Sequence, residues 1–224
     1  MCMPTCAVRA LLVLAVALLA SAPRPSAQGI APLGPLDADG RVPYFIAAGS
    51  AGSGFRPGDR QLAQWALEAW QRAAGGALRF EASDEAEALV RVIWATPGEG
   101  QYGEMRGLRV RGRRGAAVFI RPDTEALGPD IASLTRQDPL WRDTIVYLTC
   151  LHELGHAVGL SHTSDFRDIM YSFGYGGDIP AYFRRYRDAL TGRADIASVS
   201  GLSSADVARA RALYAGALDG ARTK

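Results

Sequence analysis

The chain has 224 residues and a mass of 23.9 kDa, with 48% hydrophobic and 21% charged residues, the proportions of one folded domain of ordinary size. Its formal charge is +2, and Arg9 and Arg24 supply it: beyond residue 27, 23 basic residues face 23 acidic ones. A neutral body gives no electrostatic footing for nucleic acid, which argues against that class of partner.

Residues 1–27 read as a secretory signal peptide. Arg9 makes a weakly basic start, Ala10 to Ala20 is an apolar run, and small residues follow at Ser21, Ala22, Ser26 and Ala27. The run falls short of the ~20 apolar residues that a membrane span needs, so no stable insertion is expected once it is removed. Cleavage fits either after Ala22, where Pro23 is a hindrance, or after Ala27. An uncleaved anchor is the competing reading. Export fits the cysteines: Cys2 and Cys6 leave with the signal, and Cys150 alone cannot form an internal disulfide. It is expected to face the core as a small hydrophobe.

Residues 28–40 form a Pro-, Ala- and Gly-rich leader, expected to be flexible, and the domain is expected over residues 41–220. Asp37-Ala38-Asp39-Gly40 hints at calcium, but half a motif before a strand reads more simply as a turn. Val42 to Ile46 is a first strand. Asp59 can cap a helix whose apolar positions Leu62, Trp65, Ala66, Ala69 and Ala73 keep a 3.6-residue period, and Gly75-Gly76 ends it. Ala77 to Glu81 and Leu89 to Ala95 are the next strands. Thr96 to Gly115 reads as a Gly-rich loop with Arg106, Arg109, Arg111, Arg113 and Arg114, either simply solvated or a basic rim favouring acidic substrates. Ala116 to Arg121 is a fourth strand. Asp138-Pro139 starts a helix that should run from about Pro139 to Val158. Ile179 to Leu190, with Tyr182, Phe183 and Tyr186, reads as a short helix or lid. A last helix starts at Ser203, with Asp206 three residues on in a capping pattern and Val207, Ala210 and Tyr214 on its buried stripe.

Every histidine of the protein lies in His152-Glu153-Leu154-Gly155-His156-Ala157-Val158-Gly159-Leu160-Ser161-His162. Residues four apart on a helix share a face, so His152 and His156 can aim two imidazoles at one ion. His162 reaches the same ion only if the helix stops first, and Gly159 can stop it by taking the left-handed C-cap conformation. Three neutral imidazoles at about 2.0–2.1 Å make a zinc site with an open fourth position. A water held there is acidified, and Glu153, beside the first ligand, is placed to take its proton.

HELGHAVGLSH resembles the long zinc signature of the metzincin metallopeptidases. Asp168-Ile169-Met170-Tyr171 follows, and the spacing of Met170 from His162 with the Met-Tyr pair is most similar to the matrixin branch. Ser172 departs from that branch, where a proline follows Met-Tyr. It also disfavours the astacin and serralysin branches, where a tyrosine in that place can reach the metal. There is no cysteine-switch segment and no histidine left for a second, structural zinc.

The resemblance implies an α/β metzincin-like domain: a twisted, mostly parallel sheet with two long helices above the cleft, and the Met-turn and a C-terminal helix below. It implies one catalytic zinc on His152, His156 and His162, Glu153 as base, and Met170 as a floor under the site. It implies a protein or peptide substrate, paired with a cleft-edge strand, for which Ala116 to Arg121 is the candidate. A pocket walled by the chain after the Met-turn would include Phe173 and Tyr175. The expected function is therefore a secreted or periplasmic zinc endopeptidase, acting as a monomer. The alternatives are a non-catalytic extracellular zinc-binding or adhesion module, and a zinc amidase acting on a non-protein substrate.

Overall fold

A computed structural model of the protein describes residues 34–36, 39–98 and 102–222. Residues 1–27, expected as a signal peptide, most of the expected leader and Asp37-Ala38 of the half calcium motif lie outside the described residues. Strands β1 (Arg41–Ile46), β2 (Arg79–Ala82), β3 (Val90–Trp94), β4 (Gly103–Val110) and β5 (Arg113–Ile120) make one sheet in the order β2-β1-β3-β5-β4. All neighbours are parallel except β4 and β5. Helix α1 (Asp59–Ala73) crosses from β1 to β2, and α2 (Pro129–Gln137) and α3 (Pro139–Ala157) follow β5. Helices α4 (Ile179–Arg187) and α5 (Ser204–Arg222) close the chain. The mixed sheet and long helices match the expected fold class.

The core lies between the sheet and helices α1 and α3. Val42, Ile46, Val92, Val118 and Ile120 from the sheet meet Leu62, Leu67 and Trp70 from α1 and Ile145, Leu151 and Leu154 from α3, all buried. Cys150 is buried among them as a free thiol, as expected, and burial pushes its pKa far above the ordinary range. None of the described helices is long and apolar enough to cross a membrane.

Three expectations change. The stretch expected as an Arg-rich loop is instead a hairpin. Val110 pairs with Arg113 across a two-residue turn, Arg111-Gly112, and both turn residues have positive φ (49° and 81°), the geometry that suits a tight hairpin. Its arginines are engaged rather than free. Arg106 pairs with Glu104, Arg111 with Glu87 and Arg113 with Asp39, while Arg109 and Arg114 donate to the carbonyls of Gly112 and Ala157. A free basic rim is not what they form. Second, β5 lies between β3 and β4, so the Ala116 to Arg121 strand is internal and has no edge to offer; the edge belongs to β4. Third, Leu36 of the leader is packed, with its N–H donated to the Tyr214 hydroxyl (3.1 Å).

Asp59 does not cap α1; the N-cap residue is Gly58, and no side chain caps there. Asp59 instead meets Arg142 of α3 in a two-pronged pair (2.7 and 2.8 Å), with side chains only 1% and 5% exposed. The Arg56 N–H (2.7 Å) also donates to Asp59, and Arg142 donates to the Gly54 carbonyl (3.1 Å). The pair fixes the start of α1 against α3. Arg142→Leu leaves the Asp59 carboxylate buried without its cation, and the expected loss is about 3–5 kcal/mol. Denaturant melting checks it; an unchanged midpoint would show that the pair contributes nothing.

Candidate metal centre

Helix α3 carries His152, Glu153 and His156, and it ends where the motif requires. The Leu160 N–H returns to the Gly155 carbonyl and the Gly159 N–H to the His156 carbonyl (both 2.9 Å), a Schellman cap. Gly159 takes φ 110°, and a Cβ there would also fall 2.2 Å from the Gly34 carbonyl oxygen. The turn brings the chain round to His162. Backbone bonds then clamp this return to the Met-turn: Thr163 N–H to the Met170 carbonyl (2.8 Å) and Ser172 N–H to the Thr163 carbonyl (3.1 Å).

The three imidazoles converge through Nε2. His162 Nε2 lies 3.2 Å from that of His152 and 3.0 Å from that of His156. Two of the rings are oriented from behind. His152 Nδ1 is 2.6 Å from the Ile169 carbonyl and His156 Nδ1 2.8 Å from the Leu160 carbonyl. A carbonyl only accepts, so each Nδ1 carries the proton and each Nε2 presents a bare lone pair. Such lone pairs repel unless a cation sits between them. Tetrahedral bonds of 2.0–2.1 Å would set the nitrogens about 3.3 Å apart, close to the spacings found. Burial and the neighbouring imidazoles hold the His152 pKa down at about 3, and burial holds His156 at about 4 and lowers His162. All three are neutral at neutral pH, which is the ligating form. The donor set fits zinc.

Glu153 is buried beside this hub. Its Oε1 lies against Gly103, the first residue of β4, where an added Cβ would come within 2.6 Å. The β4 edge therefore begins at the site. Burial first, and then the charge of Glu104, push the Glu153 carboxyl up to about 8. Met170 is fully buried below, with its sulfur against Gly155; a Cβ on Gly155 would lie 2.3 Å from that sulfur and 2.9 Å from Trp70. Gly155 is thus the residue that lets the Met-turn approach the helix.

The Matrixin family profile matches residues 56–178, more than half of the chain. The chain belongs to the matrixin family. Matrixins are zinc metallopeptidases, in keeping with the histidine cluster. A stretch of 105 residues, 44% of this chain, is 32% identical to the macrophage metalloelastase of Oryctolagus cuniculus and covers 21% of that protein. The match thus spans about a fifth of that relative's length.

Phe173 and Tyr175 follow the Met-turn on a short 3-10 turn, 38% and 67% exposed. Their rings stand 5.6 and 6.4 Å from that of Tyr171, and Phe173 lies edge-on to Tyr182 at 5.0 Å. A cavity of about 450 Å³ opens just beyond them, between Leu127 to Ile131 and Gly177 to Pro180 with Arg184. Neither aromatic lines it.

Sequence reasoning passed over Asp168 as a supporting residue. Its carboxylate accepts from Ser203 (2.6 Å), Arg209 (2.9 Å) and Thr163 (3.0 Å), while Asp206 accepts from Ile169 N–H (2.8 Å), Ser203 N–H (2.9 Å) and Arg209 (2.6 Å). These bonds fasten the Met-turn to the start of α5. The expected capping pattern of Ser203 and Asp206 is therefore present, with a second duty. Burial works against the Asp168 charge, but the bonds from Ser203, Thr163 and Arg209 outweigh it and hold the pKa below the ordinary value. A depressed carboxylate stabilises the fold at pH above its unfolded pKa of about 3.9, and that contribution is lost as pH falls through the lower native value. Asp168→Asn is expected to lower stability at neutral pH and to flatten its decline in acid, as read by denaturation at pH 7 and pH 3. Parallel pH profiles for the two proteins would refute the assignment.

Proposed function

We propose that this protein is an exported zinc endopeptidase, in which His152, His156 and His162 hold the metal and Glu153 is the general base. The observation that carries the reading is the convergence of three Nε2 lone pairs, two of them fixed by carbonyls behind the rings, with a buried carboxyl on the residue next to the first. Zinc bound there supplies Lewis acidity toward the scissile carbonyl and toward a water in the open position.

The chain's own groups do the rest. Glu153 takes the proton of the attacking water and passes it to the leaving amine. A carboxyl whose burial moves it toward neutrality suits both halves of that task. The free edge of β4, starting against Glu153, offers backbone donors and acceptors to an extended peptide, which binds as an added strand. Phe173 and Tyr175 supply aromatic surface for the side chain just after the cut. Full burial of a Leu- or Phe-sized group is worth roughly 1.5–3 kcal/mol. Met170 is the floor of the site. Residues 1–27 act as the export signal, residues 28–40 as the leader and 41–220 as the peptidase domain.

Glu153→Gln preserves shape and removes the base. Its rate on peptides is expected to fall about 10²–10⁴-fold with zinc content unchanged. Wild-type cleavage by this variant would refute the role, and protein unable to bind zinc after mild purification would refute the metal. In a peptide library the residue after the cut is expected to be large and apolar. A preference for Asp or Glu there would remove Phe173 and Tyr175 from the pocket.

A further inference from the structure

Helix α4 begins at Ile179, beyond the stretch that matches the family, yet its Tyr182 reaches the metal centre from behind. The Tyr182 hydroxyl is buried and its one proton is shared between the carbonyls of Asp168 (3.1 Å) and Ile169 (3.2 Å). The Ile169 carbonyl is the acceptor that orients His152. A carbonyl oxygen has two lone pairs, so it can hold both donors, but each weakens its hold on the other. His156 offers an internal contrast: among the described residues its carbonyl, that of Leu160, has no second side-chain donor. The Ile169 segment is itself fixed from its other side by Asp206 at the Ile169 N–H.

The ring of Tyr182 is equally committed. It meets Phe173 at 5.0 Å and Phe166 at 5.5 Å and stands under the Arg185 guanidinium at 4.4 Å. Arg185 in turn donates to the Phe166 carbonyl (2.5 Å). Helix α4 is held against α3 by Tyr186 stacked on Tyr147 (5.4 Å) and by Arg187 paired with Asp138 (2.7 Å), the residue that caps α3. It is a packed support, not a lid.

We infer that Tyr182 is a positioning residue for His152: its hydroxyl, delivered by α4, shares the Ile169 carbonyl and so sets the orientation and donor strength of the first zinc ligand. The inference rests on the zinc reading above. Loss of a partner behind a metal ligand typically costs 10–100-fold in metal affinity. Tyr182 acts one bond further back and draws on the same carbonyl, so Tyr182→Phe, which keeps the ring, is expected to tighten zinc by up to about 10-fold, measured by chelator competition.

Proton NMR of the zinc-loaded protein separates positioning from packing. In Tyr182→Phe the His152 Nδ1 proton should move downfield as its hydrogen bond strengthens, while that of His156 stays. A wild-type measurement needs no variant: the Tyr182 hydroxyl proton should give a cross-peak to the His152 Nδ1 proton. Unchanged zinc affinity with both imidazole protons unmoved, or a missing cross-peak, overturns the inference while leaving the zinc reading intact. Wild-type protein that binds no zinc overturns both.

Discussion

Three imidazole lone pairs aimed at one point repel one another in the absence of a cation, and much of the tertiary structure is arranged to hold them there. The helix must be straight enough to align His152 with His156, then must end abruptly enough to return His162. The Schellman cap at Gly159 satisfies both demands and supplies donors to the backbone carbonyls at that end of the helix. The rings are then locked by carbonyls that come from two different segments. Leu160 belongs to the turn itself, so the orientation of His156 is local. Ile169 belongs to the Met-turn, so His152 is fixed only once the lower part of the domain has folded.

That difference explains where the supporting bonds concentrate. Asp168 and Asp206 bind the Met-turn to α5, and Tyr182 binds it to α4. Each carboxylate satisfies several donors at once, which a buried charge requires. Above the cleft, the Asp59–Arg142 pair does similar work between α1 and α3. The three converging histidines occupy one short stretch of chain, but their geometry depends on residues from position 54 to position 209.

The centre was legible in the sequence because its spacing is set by helix geometry, which needs no tertiary information. The long helix, the four other strands, the buried thiol of Cys150 and the cap at Ser203 were legible for the same local reasons. Strand β4 was not. Gly103-Glu104-Met105-Arg106-Gly107-Leu108-Arg109-Val110 carries two glycines and three charges and lacks the alternation of a half-buried strand, because it is an edge strand held by β5. Its turn, Arg111-Gly112, lacks the Asn or Asp that marks such a turn in sequence. Asp59 was read as a cap because an acid at a helix start usually is one; its true partner is 83 residues away. Ion pairs between distant elements leave no local signature.

The hidden strand matters most for function. The proposed peptidase reading calls for a backbone edge beside the buried carboxyl, and the internal strand expected from sequence has both edges occupied. The poor strand character of β4 follows from that need. A long, flat, apolar edge left open would pair with other copies of the chain, and charges along an edge guard against this. Glycine at 103 lets the Glu153 carboxyl lie against the start of the strand, where any Cβ would collide with it. The features that obscure β4 in the sequence are therefore those that suit an open edge beside a buried carboxyl.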